Sequence, residues 1–83
     1  MAVIKFFASV KDKMGTDSMQ ISLNTPSPVR EVLTAVAHRE SVELSALVND
    51  TLMYAVNQEM AGLNHIVSDS DELAVLPPLS GGV

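Results

Sequence analysis

Apolar and polar residues alternate with a period of two near both ends of the chain and with a helical period between them. Over residues 3–10, Ile4, Phe6 and Ala8 fall on one side while Val3, Lys5 and Phe7 fall on the other, which predicts a first strand. The polar stretch 11–17, with Gly15 inside it, predicts the connection to a second strand over 18–23. There Met19, Ile21 and Leu23 alternate with Ser18, Gln20 and Ser22, the pattern of an antiparallel hairpin with one wet face. The segment Asn24-Thr25-Pro26-Ser27-Pro28 then opens a helix, with Ser27 expected as the N-cap and Pro28 at the first helical position, where its missing N–H costs nothing.

Within that helix Val29, Val32, Leu33, Val36 and Ala37 follow the i, i+3, i+4, i+7, i+8 spacing and form one apolar stripe. Arg30, Thr34, His38 and Arg39 fall mostly off it, and Glu31 lies in the first turn, where the helix dipole favours a negative charge. Residues 40–50 are open between a short second helix and a loop anchored by Val42, Leu44, Leu47 and Val48. Residues 51–58 predict a third strand with Leu52, Tyr54 and Val56 on one face, followed by a turn at Asn57-Gln58-Glu59 and a short return at Met60. After turns at Asn64-His65 and Ser68-Asp69-Ser70-Asp71, residues 72–76 form an apolar final strand.

The order β-β-α-β-β implies an α+β roll of the β-grasp, or ubiquitin-like, type. One main helix is expected on one face of a mixed four- to five-stranded sheet, with the last strand beside the first in the middle. The domain is expected to span residues 1–76, leaving residues 77–83 as a flexible tail. Pro77 and Pro78 end the last strand because proline cannot donate to a ladder. Gly81 and Gly82 have no Cβ, so that backbone fits a channel too narrow for ordinary side chains. Residues 77–82 extended at roughly 3.3 Å each span about 20 Å, enough to carry a chain end into another protein's active site.

Composition narrows the possible chemistry. A chain of 83 residues is one small domain, and 47% hydrophobic residues suffice for a core. With no cysteine, disulfides, thiolate metal sites and a cysteine nucleophile are excluded. No apolar run approaches the roughly 18 residues of a membrane span, and no signal peptide precedes the first strand, so a cytoplasmic protein with no membrane association is expected. The net charge of −5, with scattered basic residues, argues against nucleic acid and favours partners with basic patches.

Asp69, Asp71 and Glu72 lack the loop pattern of a calcium site and read as a turn whose side chains cap backbone groups. His38 and His65 have no second ligand at metal spacing and read as surface residues; no metal or cofactor is expected. Ser80 has no helix after it to make a nucleophile elbow. No catalytic constellation is visible, which leaves the chain end itself as the reactive group. Phe7, Met60, Leu76 and Leu79 are expected to form an apolar patch, continuous with the tail, on the face away from the helix.

The start Val3-Ile4-Lys5-Phe6-Phe7-Ala8-Ser9-Val10, the segments Gly15-Thr16-Asp17 and Ala55-Val56-Asn57-Gln58, and the end from Asp69 through Pro77-Pro78-Leu79-Ser80-Gly81-Gly82 together resemble the small, MoaD-type subunit of molybdopterin synthase. The resemblance implies a sulfur carrier that is not itself an enzyme. An E1-like, ATP-using enzyme would adenylate the carboxylate of Gly82, and sulfur would convert it to a thiocarboxylate. The tail would then insert into the large subunit of the synthase, in an expected heterotetramer, and pass its sulfur to cyclic pyranopterin monophosphate. One residue departs from the pattern: the family ends at the second glycine, and here Val83 follows. A precursor trimmed later, a residue foreign to the natural chain, and a relative that forms no thiocarboxylate each account for it. Alternative assignments within the same tail chemistry are a carrier for thiamine or tRNA thiolation and a ubiquitin-like protein modifier; a binding module with an inert tail is a further class.

Overall fold

The computed structural model describes residues 1–78. Strand β1 (Ala2–Phe6) leads into helix α1 (Ala8–Met14) and strand β2 (Ser18–Ile21). The two-residue β3 (Ser27–Pro28) precedes helix α2 (Val29–Glu40), and a single 3₁₀ turn, Leu44–Ala46, follows. Strands β4 (Met53–Val56), β5 (Glu59–Ala61), β6 (Ile66–Val67) and β7 (Glu72–Leu76) complete the order. The main sheet is five-stranded, β2-β1-β7-β4-β5, and β3 pairs with β6 in a separate two-stranded ladder. Among the described residues only the β1–β7 pair is parallel, so the final strand lies beside the first at the centre, as the β-grasp assignment requires.

Strand alternation sends Ile4, Phe6, Ile21, Tyr54, Val56, Leu73 and Val75 to one face, where all are buried. The predicted α2 stripe of Val29, Val32, Leu33, Val36 and Ala37 covers that face and is itself buried throughout. Each buried Val, Leu, Ile or Phe among them contributes roughly 1.5–3 kcal/mol by leaving water, which makes this interface the main source of stability.

Two local expectations are corrected. The first strand stops at Phe6 rather than residue 10, and residues 8–14 form a helix instead of strand end and loop. Val10 and Met14, one helical turn apart, are the α1 residues that reach the core. The helix then ends on Gly15 at φ 75°, whose N–H donates to the Lys11 carbonyl at 2.9 Å. The N-cap of α2 is Pro28, not Ser27, and Ser27 donates its hydroxyl to the Thr25 carbonyl instead. No side chain caps α2 because the opposite loop does so: Val29 N–H donates to the His65 carbonyl at 2.9 Å and Arg30 N–H to the Leu63 carbonyl at 3.0 Å. Of the two readings open for residues 40–50, the structure has the loop, with a 3₁₀ turn at Leu44–Ala46 and fully buried Leu47 as its anchor.

Two further contacts fix this connection. At the end of α2, Ser41 adopts φ 56°, and Val42 N–H returns to the Ala37 carbonyl at 3.0 Å, closing the helix in the manner usually reserved for glycine. The buried Tyr54 hydroxyl donates to the Leu47 carbonyl at 2.8 Å, tying the segment down to the sheet, and burial pushes the phenol's pKa up. Urea denaturation of Ser41→Gly is expected to show a gain of about 0.5 kcal/mol from relieved left-handed strain. Tyr54→Phe is expected to lose about 1 kcal/mol, because the Leu47 carbonyl then has no donor.

Candidate functional site

Because β7 runs parallel to β1, its C-terminal end emerges beside the end of β1. The pairs Lys5↔Ala74 and Phe6↔Val75 set that register, and Phe7 N–H donates to the Val75 carbonyl at 3.3 Å. On the other flank Met53 pairs with Leu76, and Ala55 with Ala74. The chain therefore leaves the sheet between Phe7 and Met53, through half-buried Pro77 and exposed Pro78. The predicted tail residues Leu79, Ser80, Gly81 and Gly82 lie outside the described residues.

The outer face at this exit is apolar. Phe7 is 43% exposed, Met53 37% and Met60 61%, and Leu76 is half-buried between the neighbouring strands. Register places Ala74, Ala55 and Met60 in one row across β7, β4 and β5. The two alanines there keep the surface low, so the larger side chains of Phe7, Met53 and Met60 rise around it. Of the residues singled out from sequence, Phe7, Met60 and Leu76 fall on this face, and Leu79 lies outside the described residues. Met53 was missed, although placing Leu52, Tyr54 and Val56 inward already put Met53 and Ala55 outward.

On the β2 side of Phe7 lies a groove of about 460 Å³ lined by Lys5, Phe6, Phe7, Ala8, Lys11, Asp17 and Ser18. Lys5 reaches Glu72 at 3.7 Å, a partly exposed pair that contributes little to stability. Ala8, the first residue of α1, takes φ 51°, so the backbone turns sharply just after Phe7.

The opposite end of β7 is held by carboxylates acting as caps. Asp69 accepts from Leu23 N–H at 2.8 Å and meets the N-terminal amine at 3.4 Å. Asp71 accepts from Ser68 N–H at 2.8 Å and from the Asn57 amide at 3.0 Å. Asn57 also exchanges two hydrogen bonds with the Glu72 backbone, accepting on its side chain at 2.9 Å and donating its own N–H at 2.8 Å. The turn-capping role read from sequence is the one the hydrogen bonds of Asp69 and Asp71 show, whereas the Glu72 carboxylate pairs with Lys5 instead. His38 is exposed on α2, and His65 is exposed in the turn whose carbonyl caps that helix. Among the described residues no group of three potential ligands converges on a metal position.

Backbone hydrogen bonds, first from Leu23 to Asp69 and from Ser68 to Asp71, hold both carboxyls below their ordinary value of 3.8. A depressed carboxylate contributes stability above its unfolded value and loses it as pH falls through the folded value. Thermal melts are therefore expected to show wild type ahead of Asp71→Asn at neutral pH, with the gap closing as pH falls below 3.8. A gap independent of pH would contradict the assignment.

The sequence pattern of the ThiS family matches residues 4–82. The molybdopterin synthase sulfur carrier subunit of Escherichia coli (strain K12) is 33% identical over 84 residues, covering 99% of this chain and 100% of that protein. That of Haemophilus influenzae is 32% identical, covering the same shares. Among solved structures, SAMP1 from Haloferax volcanii superposes with a TM-score of 0.80 at 25% identity, covering 98% of each chain. A protein–protein complex of subunits 1 and 2 of the molybdopterin-converting factor from Helicobacter pylori contains a chain matching with a TM-score of 0.63 at 23% identity, covering 98% of this chain and 97% of that one. With its central parallel strand pair, single covering helix and near end-to-end match, the chain belongs to the ThiS family of ubiquitin-like β-grasp proteins, among the relatives of the molybdopterin synthase sulfur carrier subunits.

Proposed function

We propose that this chain is the sulfur carrier of molybdopterin synthesis and that the carbonyl carbon of Gly82 is its reactive atom. The supporting observation is the pairing of two features: a central last strand that releases the chain end beside an apolar face, and a family match that runs to residue 82. A carboxylate is a poor acyl donor until one oxygen becomes part of a good leaving group. An ATP-using, E1-like enzyme supplies that group: the Gly82 carboxylate attacks the α-phosphorus, pyrophosphate leaves, and an acyl-adenylate results. Sulfur at the sulfide level then attacks the acyl carbon, AMP leaves, and loss of the S–H proton gives a thiocarboxylate.

In the large subunit the thiocarboxylate sulfur attacks a carbon of cyclic pyranopterin monophosphate, and the carbon–oxygen bond at that carbon breaks with the oxygen keeping the electron pair. Water then cleaves the acyl–sulfur bond, leaving the sulfur on the substrate and returning the Gly82 carboxylate. The carrier contributes no catalytic side chain to these steps. It contributes a narrow Gly81-Gly82 end and a docking face at Phe7, Met60 and Leu76, extended by Met53. Docking of that face makes delivery of the end effectively intramolecular.

Val83 stands against the chemistry as written, since Gly82 then sits in a peptide bond and has no free carboxylate to activate. Intact-mass measurement after incubation with the activating enzyme, ATP and a sulfur source separates the cases. Protein ending at Gly82 is expected to gain the mass of one oxygen-to-sulfur exchange, while protein retaining Val83 gains nothing. Equal incorporation by both forms would defeat the assignment of Gly82.

A further inference from the structure

The five-stranded sheet has two free edges, β2 and β5, and their outward hydrogen-bonding groups are treated differently. On β2 the residues pointing away from β1 are Ser18 and Gln20, because Met19 and Ile21 belong to the β1 ladder. Thr16 Oγ1 takes both Ser18 groups, donating to its carbonyl at 3.0 Å and accepting from its N–H at 3.5 Å. Arg39 Nη1 donates to the Gln20 carbonyl at 2.9 Å. Only the Gln20 N–H is left without a partner there among the described residues, so this edge is blunted from within.

On β5 nothing comparable happens. Asn57 and Gln58, at φ 52° and 71°, form a two-residue hairpin loop that makes Val56 and Glu59 a hydrogen-bonded pair. Alternation then turns the N–H and carbonyl of Met60 away from β4, and no other group among the described residues meets them. The donation of Asn57 N–H to Glu72 confirms the phase, since it shows odd-numbered residues here facing β7. The same residue has a side chain 61% exposed on the outer apolar face.

We propose that the main chain of Met60 pairs with an extended strand of the protein that covers this face, so that docking continues the sheet across the interface at β5. The inference rests on the carrier assignment above, and the strand belongs to the large subunit of the synthase. Charge argues for that occupant over a second copy of this chain. Self-pairing at β5 would bring together two molecules of charge −5, each with Glu59 on the edge, whereas a partner strand with a basic residue near Glu59 and an apolar one beside Met60 complements both.

The test uses the full chain and the purified large subunit from the same organism. Met60→Pro deletes the outward N–H without removing any β4–β5 hydrogen bond, and proline is tolerated at such edge positions. Calorimetric affinity is expected to be about tenfold weaker for Met60→Pro than for Met60→Ala, which loses the same side chain but keeps the outward N–H, and to be unchanged for Gln20→Pro at the equivalent outward position of β2. Amide hydrogen exchange on wild type gives a second readout that needs no variant to fold: the Met60 N–H is expected to become protected only in the complex. Affinity in folded Met60→Pro equal to that of Met60→Ala, or a Met60 amide that exchanges equally fast free and bound, would overturn the edge pairing while leaving the carrier assignment intact. Protection at high concentration of the chain alone would overturn it in favour of self-association. Absence of any binding by wild type would sink the carrier assignment and the edge pairing together.

Discussion

Everything in this domain is arranged around the parallel pairing of β1 with β7. Parallel neighbours cannot be joined by a tight turn, so the entire sequence between them serves as the crossover: helix, 3₁₀ turn, hairpin and the small β3–β6 ladder. The pairing places the last strand between β1 and β4, where Leu73 and Val75 face the helix and Ala74 is nearly closed off on the other side. It also delivers the end of that strand to the one corner of the outer face where Phe7 and Met53 stand. A fold that seated its C-terminal strand at an edge would release the chain end far from such a surface.

The two ends of β7 are built from different materials, and the difference suits a carrier. Its start is fixed by a polar lattice in which Asp71, Asn57 and Glu72 satisfy one another while Asp69 holds Leu23 and the N-terminus. Its finish is apolar and bounded by Pro77 and Pro78, which stop the ladder. Pull or steric load on the C-terminal segment is thus resisted by a strand clamped on both sides and capped at its far end. The carboxylates of Asp69 and Asp71 serve this clamp and not a metal centre.

The large features were legible because they depend on periodicity. The α2 stripe, the alternation in β2, β4 and β7, and the Asn57-Gln58 reversal all follow from spacing alone, and the central position of β7 follows from its apolar character. Helix α1 was missed because Ala8 and Val10 extend the alternation of β1 by apparent continuity. The competing signal was there in Val10 and Met14 one turn apart, with Lys11 and Lys13 before a terminal Gly15. The displaced cap of α2 had no local signal, since its partners are carbonyls of Leu63 and His65, more than thirty residues away in sequence. At the candidate site, Phe7, Met60 and Leu76 were readable from strand parity, whereas the guarding of β2 by Arg39 from helix α2 is a tertiary event that no spacing rule anticipates.

In the proposed function a glycine end is the reagent and the folded domain is its handle. Mass analysis of the C-terminal peptide from protein isolated out of its native host, grown under conditions that demand molybdopterin, tests this most directly. The account predicts a population ending at Gly82, part of it carrying the thiocarboxylate. A population that keeps Val83 in full while the cofactor is made normally through this protein would contradict it.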